Sequence, residues 1–252
     1  MDRHEIADGG YVYRFDTGPF NWYVIRQHGR LTVVDAGFPG HYATFLRGMR
    51  ALGCEVKDVG AILLTHAHAD HMGFAERLRR ATNAPIYVHA EDLAAAQRVL
   101  QLPWAGLLTN SWRPFVSRIL AHATFNGVFT MPRIATARAT KAGEVLDVPG
   151  RPHVLHLPGH SPGEVAYYLP ESSLLLSGDT LVTRNLFTGA HGAPQLTPPV
   201  LNHDNQAARH SLDQLRELGT LTLLPGHGAA WRGRMADGVD AALRTEALRS
   251  TR

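Results

Sequence analysis

The chain has 252 residues, 44% of them hydrophobic, and carries 25 basic against 22 acidic side chains for a formal net charge of +3. That is enough chain and apolar content for one large domain with a sizeable core. No apolar run reaches the roughly 18 residues of a membrane span, and the opening MDRHEIADGG lacks the pattern of a secretory leader. The lone cysteine, Cys54, cannot form an intramolecular disulfide, so a reducing, cytoplasmic setting is expected.

In chain order, YVYRF (11–15), WYVIR (22–26) and LTVVD (31–35) are β-branched or aromatic runs bounded by Gly, Pro and Asp, and they predict strands. YATFLRGMRALG (42–53) has helical spacing of apolar residues. GAILLT (60–65) predicts a short buried strand, GFAERLRRAT (73–82) a helix, PIYVH (85–89) a strand and EDLAAAQRVL (91–100) a helix. Residues 101–140 differ. They hold Trp104, Trp112, Phe115, Phe125 and Phe129 without strand alternation, and they predict a helical insert. Strand signals return in HVLHL (153–157), EVAYYL (164–169) and LLLSGD (174–179). A helix over 205–219, a strand LTLLPG (221–226) and a closing helix (236–249) follow. No linker divides the chain, so 1–252 is expected to be a single α/β domain. The arginines are spread out and Lys57 and Lys141 are the only lysines, so no concentrated nucleic-acid stripe forms; RLRR (77–80) is a solvated helix face.

Chemistry concentrates in THAHADH (65–71), three histidines and an aspartate within seven positions after the apolar AILL. On an extended loop, His66 and His68 lie two apart and can point the same way. Asp70 and His71 follow as the chain turns into a helix and can face a second point nearby. Neutral imidazole suits zinc, and a carboxylate adds the charge a divalent ion needs. Three further segments repeat one design, an apolar strand followed by a Gly-containing turn and one donor. They are His160 in HLPGHSPGE, Asp179 in LLLSGDT and His227 in LLPGHG.

The ordered set HxHxDH, PGHS, GDT and PGHG resembles the metallo-β-lactamase fold superfamily over nearly the whole chain, in its glyoxalase II and lactonase-like branch. The resemblance implies a four-layer αββα sandwich with the metal site at one edge of two sheets. It assigns His66, His68 and His160 to a first metal ion, Asp70, His71 and His227 to a second, and Asp179 to both. The ions are expected to be zinc, with iron or manganese accepted by similar sites. The implied activity is hydrolysis of an ester, thioester or lactone carbonyl in a small acyl substrate by a hydroxide shared between the ions. Asp70 would pass a proton to the leaving group, which makes it the candidate catalytic residue.

Other histidines read differently. His89 packs at a strand end, His153 and His156 are structural or at the surface, and His203 in LNHD is the best additional site candidate. Asp35, in VVDAG, is expected to orient a ligand histidine rather than bind metal itself. Departures from family patterns narrow the substrate. Flavodiiron proteins carry Glu where this chain has His68, and metallo-β-lactamases generally lack the bridging aspartate. Hydroxyacylglutathione hydrolases have a longer basic C-terminal region, and homoserine lactonases have a tyrosine where this chain has Val182. A nuclease and a non-catalytic binding module are the outlying alternatives. The insert aromatics either cap the site and favour an apolar acyl group, or pack against the body or a second subunit of a homodimer.

Overall fold

A computed structural model of the chain describes residues 2–98 and 104–250. A seven-stranded sheet runs in the order β1-β2-β3-β4-β5-β6-β7. Its strands are β1 (Asp2–Ile6), β2 (Gly10–Asp16), β3 (Asn21–Gln27), β4 (Arg30–Val34), β5 (Val59–Leu63), β6 (Ile86–His89) and β7 (Arg138–Thr140). The first four pair antiparallel, and β4 to β7 pair parallel. On this half of the chain lie α1 (Tyr42–Ala51), α2 (Ala69–Met72), α3 (Ala75–Thr82), α4 (Leu93–Ala96), α5 (Trp104–Thr109) and α6 (Pro114–Phe125).

The second sheet has five strands, ordered β14-β13-β10-β9-β8. They are β8 (His153–His156), β9 (Val165–Leu169), β10 (Leu174–Gly178), β13 (Thr220–Pro225) and β14 (Trp231–Arg234), and a separate pair is formed by β11 (Val182–Arg184) and β12 (His191–Gln195). The closing helices are α7 (Asn205–Ser211) and α8 (Met235–Ser250).

Side-chain alternation explains the layering. Along β3, Trp22 and Val24 face a core shared with Phe45 and Met49 of α1 and Leu78 of α3. Their neighbours Tyr23 and Ile25 face a second core with Val165 and Tyr167 of β9 and Leu174 and Leu176 of β10. Leu175 then points away, into a third core with Ala208 of α7, Leu212, and Met235 and Val239 of α8. A period of two along a strand with both faces buried requires cover on each side. Three cores between four layers give helix, sheet, sheet, helix, the αββα sandwich expected from the sequence.

Several elements differ from the sequence reading. β1, β11, β12 and β14 were not expected; they are short, polar or Gly-Pro-containing and give no clean alternation. The helix expected over 91–100 is a single 3-10 turn followed by the four-residue α4, and its last two residues lie outside the described ones. Among the described residues the insert is helical in α5, α6 and a 3-10 turn over Val128–Thr130, while residues 138–140 pair with β6 and extend the first sheet. The helix expected over 205–219 is α-helical to Ser211 and continues as a 3-10 helix over Leu212–Leu218. Among the described residues, no helix is long and apolar enough to cross a membrane.

Candidate metal centre

The donors sit just beyond the C-terminal ends of β5, β8, β10 and β13, where the sheets fix the backbone and the turns leave side chains free to converge. Cross-sheet hydrogen bonds hold these ends together. Tyr167 Oη donates to Leu64 O at 2.8 Å, and Tyr23 Oη donates to Pro225 O at 2.6 Å. Asn21 N donates to Gly226 O at 2.8 Å. Close approach demands glycine: a Cβ on Gly226 would collide with Asp179 Oδ1 and with His71 Cε1. At Gly178, φ is +52° and a Cβ would lie 2.5 Å from Glu164 Oε1.

All seven expected residues come together. Donor atoms of His66, His68 and His160 form one group, those of Asp70, His71 and His227 another, and Asp179 groups with His66 and His71. His68 Nδ1 is 2.9 Å from His160 Nε2. Asp179 Oδ2 is 3.0 Å from His227 Nε2 and 3.5 Å from His160 Nε2, while its Oδ1 is 3.6 Å from His71 Nε2. Asp70 Oδ2 lies 3.6 Å from His227 Nε2 and 3.7 Å from His71 Nε2. Two tetrahedral ligands of one zinc are separated by about 3.4 Å, so these spacings are close to those of a loaded site. Asp179 has oxygens beside histidines of both groups.

Hydrogen bonds fix which nitrogen faces the centre. His71 Nδ1 donates to Asp35 Oδ2 at 2.9 Å. The Thr65 hydroxyl donates to the Asp35 carboxylate, so its oxygen accepts from His66 Nδ1 at 3.1 Å. His227 Nδ1 donates to Pro19 O at 2.7 Å, and His160 Nδ1 donates to Asn202 Oδ1 at 3.2 Å. In each of these four rings the far nitrogen carries the proton, which leaves a lone pair on Nε2 pointing inward. Three of the inward atoms, His66 Nε2, His71 Nε2 and Asp179 Oδ1, are fully buried without a hydrogen-bond partner. Such orphans cost free energy unless something satisfies them, and five nitrogens with two carboxylates are the donor chemistry of divalent ions. The residues therefore fit two ions.

The electrostatics divide the histidines: His66, His68 and His160 are held neutral, whereas the carboxylates around His71 and His227 favour a second proton that an ion would displace. Burial, then the surrounding histidines, hold His66 and His68 well below the usual imidazole range, in the neutral form that can coordinate. Burial opposes protonation of His71 and His227 as well, but Asp35, Asp70 and Asp179 outweigh it at His71, and Asp179 and Asp70 do so at His227. Burial pushes the Asp179 carboxyl up, yet His227 and His71 outweigh it and hold the group ionised.

Asp35 behaves as expected, with φ +61° and a carboxylate shared between Thr65 and His71. Two buried carboxylates went unnoticed in the sequence. Glu164 Oε1 accepts from Asp179 N at 2.9 Å, and its Oε2 is 3.2 Å from His66 Nδ1. Asp92 accepts from Ala67 N at 2.9 Å, Ser161 Oγ at 2.8 Å and Gly163 N at 2.8 Å, tying two ligand loops together. Glu164 had a signal in its position between the PGHS turn and an apolar strand; Asp92 had none.

His203 is not a site residue. Its side chain is exposed, and only its backbone N reaches the ligand loop, donating to His160 O. His89 is buried, stacks on His156 with ring centroids 3.9 Å apart, and lies outside the chamber lining. Over the ligands lies a chamber whose walls come largely from the insert, through Leu107, Ile119, Leu120, Ala123 and Phe129. Of the insert aromatics, Phe129 lines the chamber and Trp112 does not. Trp112 is 73% exposed and absent from the chamber lining, being held instead beneath the Arg113 guanidinium; the Trp104 side chain lies outside the described ones.

Residues 16–227 match the metallo-beta-lactamase superfamily. The probable metallo-hydrolase YqgX of Bacillus subtilis is 29% identical over 181 residues, 67% of this chain and 70% of that protein. The hydroxyacylglutathione hydrolase of Methylobacillus flagellatus is 30% identical over 239 residues, 90% of this chain and 75% of that protein. Among solved structures, the metallo-beta-lactamase family protein TTHA1429 of Thermus thermophilus superposes with a TM-score of 0.68 at 25% identity, over 94% of this chain and 79% of that one. TTHA1623, solved in a di-iron-bound form, gives 0.55 at 27% identity, over 96% and 97%. The chain belongs to the metallo-β-lactamase superfamily of metal-dependent hydrolases.

Proposed function

We propose that this member of the superfamily is a two-metal hydrolase that cleaves the carbonyl of an ester, thioester or lactone. The observation that carries the reading is the position of Asp179, whose oxygens lie within 3.6 Å of histidines from both groups. His66, His68 and His160 would hold one ion, Asp70, His71 and His227 the other, with Asp179 on both; zinc is the expected metal. Bound there, the ions supply an acidified water as nucleophile and polarise the substrate carbonyl.

The chain's own residues do the rest. Glu164 and Asp35 orient Asp179, His66 and His71 through the contacts given above. Asp70 lines the chamber floor, where its carboxylate is placed to hand a proton to the departing oxygen or sulfur. The balance is simple: water's oxygen bonds to the carbonyl carbon, the bond to the leaving group breaks, and that group takes the electron pair and a proton. No side-chain nucleophile is needed. Similarity to a hydroxyacylglutathione hydrolase favours thioesters as a second reading within the same chemistry.

The test is a panel of esters, thioesters (a hydroxyacyl-glutathione among them), lactones and β-lactams on protein reconstituted with zinc. Turnover of one or more of the first three classes, abolished by chelation, is expected. Turnover confined to β-lactams, or turnover that survives complete metal removal, would overturn the proposal.

A further inference from the structure

The chamber above the candidate centre has two chemically opposite ends. Its floor is made of His68, Asp70, His160, Asp179 and His227, and its remaining lining is almost wholly hydrocarbon. The only other polar lining residue among the described ones is Thr124, and its hydroxyl is already committed to Leu120 O at 2.9 Å. No lysine or arginine lines the space among the described residues, although the chain carries 25 basic side chains. The nearby guanidiniums are engaged elsewhere, Arg113 over the rings of Trp112 and Phe187 and Arg184 over that of Phe115. The cavity volume is about 230 Å³, just below the usual range for small-molecule sites, which suits a slender chain rather than a bulky group.

Such a shape selects by desolvation. A carboxylate or phosphate drawn into a hydrocarbon wall loses its water and finds no partner. A methylene entering the same wall gains on transfer, by roughly a threefold to fourfold factor for each group fully buried. We propose that the chamber receives the unbranched, uncharged aliphatic acyl chain of the substrate, so that neutral medium-chain acyl esters and thioesters are preferred over those with short or anionic acyl parts. This rests on the hydrolytic reading above and names its substrate class. The chain lies against α5 and α6 with its carbonyl at the histidine floor, and Ala123 and Leu108 set how much chain is accepted. Ala123 is a small residue on the chamber wall, and Leu108 is a 58% exposed residue at its edge.

Two measurements on the zinc-reconstituted full chain test this. In the first, kcat/KM is compared across the p-nitrophenyl esters of acetic, butyric, hexanoic and octanoic acids and the monoester of an acyl chain ending in carboxylate. The expected result is a rise of more than tenfold from acetate to octanoate, with the carboxylate-ended ester at or below acetate. Leu108→Arg, which is partly solvated and leaves the core intact, should lower the octanoate-to-acetate ratio of kcat/KM several-fold. Ala123→Phe should move the optimum to a shorter chain. In the second, calorimetry on the same protein should find decanol bound more tightly than butanol, with a negative heat-capacity change.

Acetate turnover with a flat or falling series would overturn the chain-binding proposal and leave the hydrolase reading standing. If no ester, thioester or lactone is cleaved, the hydrolase reading falls, and the alcohols decide the chamber: equal binding of decanol and butanol overturns the proposal, and preferential binding of decanol supports it.

Discussion

His41 is expected to make the fold sensitive to acid. It is buried just after β4, and its Nδ1 accepts from Phe38 N at 3.1 Å. Nε2 therefore carries the proton and donates to His122 Nε2 at 2.8 Å. His122 lies on α6, so this bond ties a chamber wall to the body, and Phe20 and Phe38 pack their rings on it. Burial, then the neighbouring His122, pushes the His41 imidazole down to about 3, against about 6.5 in an unfolded chain. A depressed histidine means that the unfolded chain takes the proton first. The stabilisation by neutral His41 is complete above about pH 6.5 and drains away as the pH falls toward about 3. The slope reaches about 1.4 kcal/mol per pH unit, which amounts to about 2–3 kcal/mol between pH 6 and pH 4. His41→Asn keeps an acceptor for Phe38 N and removes the titration. Urea unfolding of both proteins in the presence of chelator, at pH 7, 6, 5 and 4, should show the variant less stable at neutral pH but with a shallower acid slope. Parallel losses in the two proteins would refute the reasoning.

Asp35→Asn should weaken metal binding tenfold to a hundredfold, as loss of a carboxylate behind a ligand imidazole commonly does. The asparagine tolerates φ +61°, so a chelator-competition titration will read affinity rather than misfolding; unchanged affinity would remove Asp35 from the account. Cys54 is half-buried with its Sγ directed to Leu52 O and lies outside the chamber lining. Cys54→Ser should leave turnover near wild type, whereas His66→Ala should lower it by several orders of magnitude. Loss of activity in the cysteine variant with its metals intact would argue for a covalent route.

Wherever period and burial coincide, the fold was legible in the sequence. Residues such as those of WYVIR and LLLSG alternate between two cores, and the pattern survives because both faces are covered. The edge strands escaped notice for the opposite reason. DRHEI is mostly exposed, HGAPQ contains Gly and Pro, and both are strands because a neighbour pairs with them. The seven candidate donors were legible because each of their segments follows an apolar run, a local signal. The residues behind them divide by the same rule. Asp35 ends a strand and could be found, whereas Asp92 reaches Ser161 and Gly163 across about seventy positions and could not. The chamber was half visible. The insert was identifiable from 101–140, but the composition pointed to its aromatics, of which Phe129 lines the chamber; most of the remaining insert lining is aliphatic, brought by α5 and α6 against Phe20, Phe38 and Leu201.

The central claim is that seven side chains make one two-ion centre joined by Asp179. Elemental analysis of the purified chain after reconstitution and removal of free metal tests it most directly, with Asp179→Ala measured alongside. Two ions per wild-type chain, with occupancy falling at both positions in the variant, is the predicted result. One ion or fewer in the wild type, or full occupancy in the variant, would contradict the account.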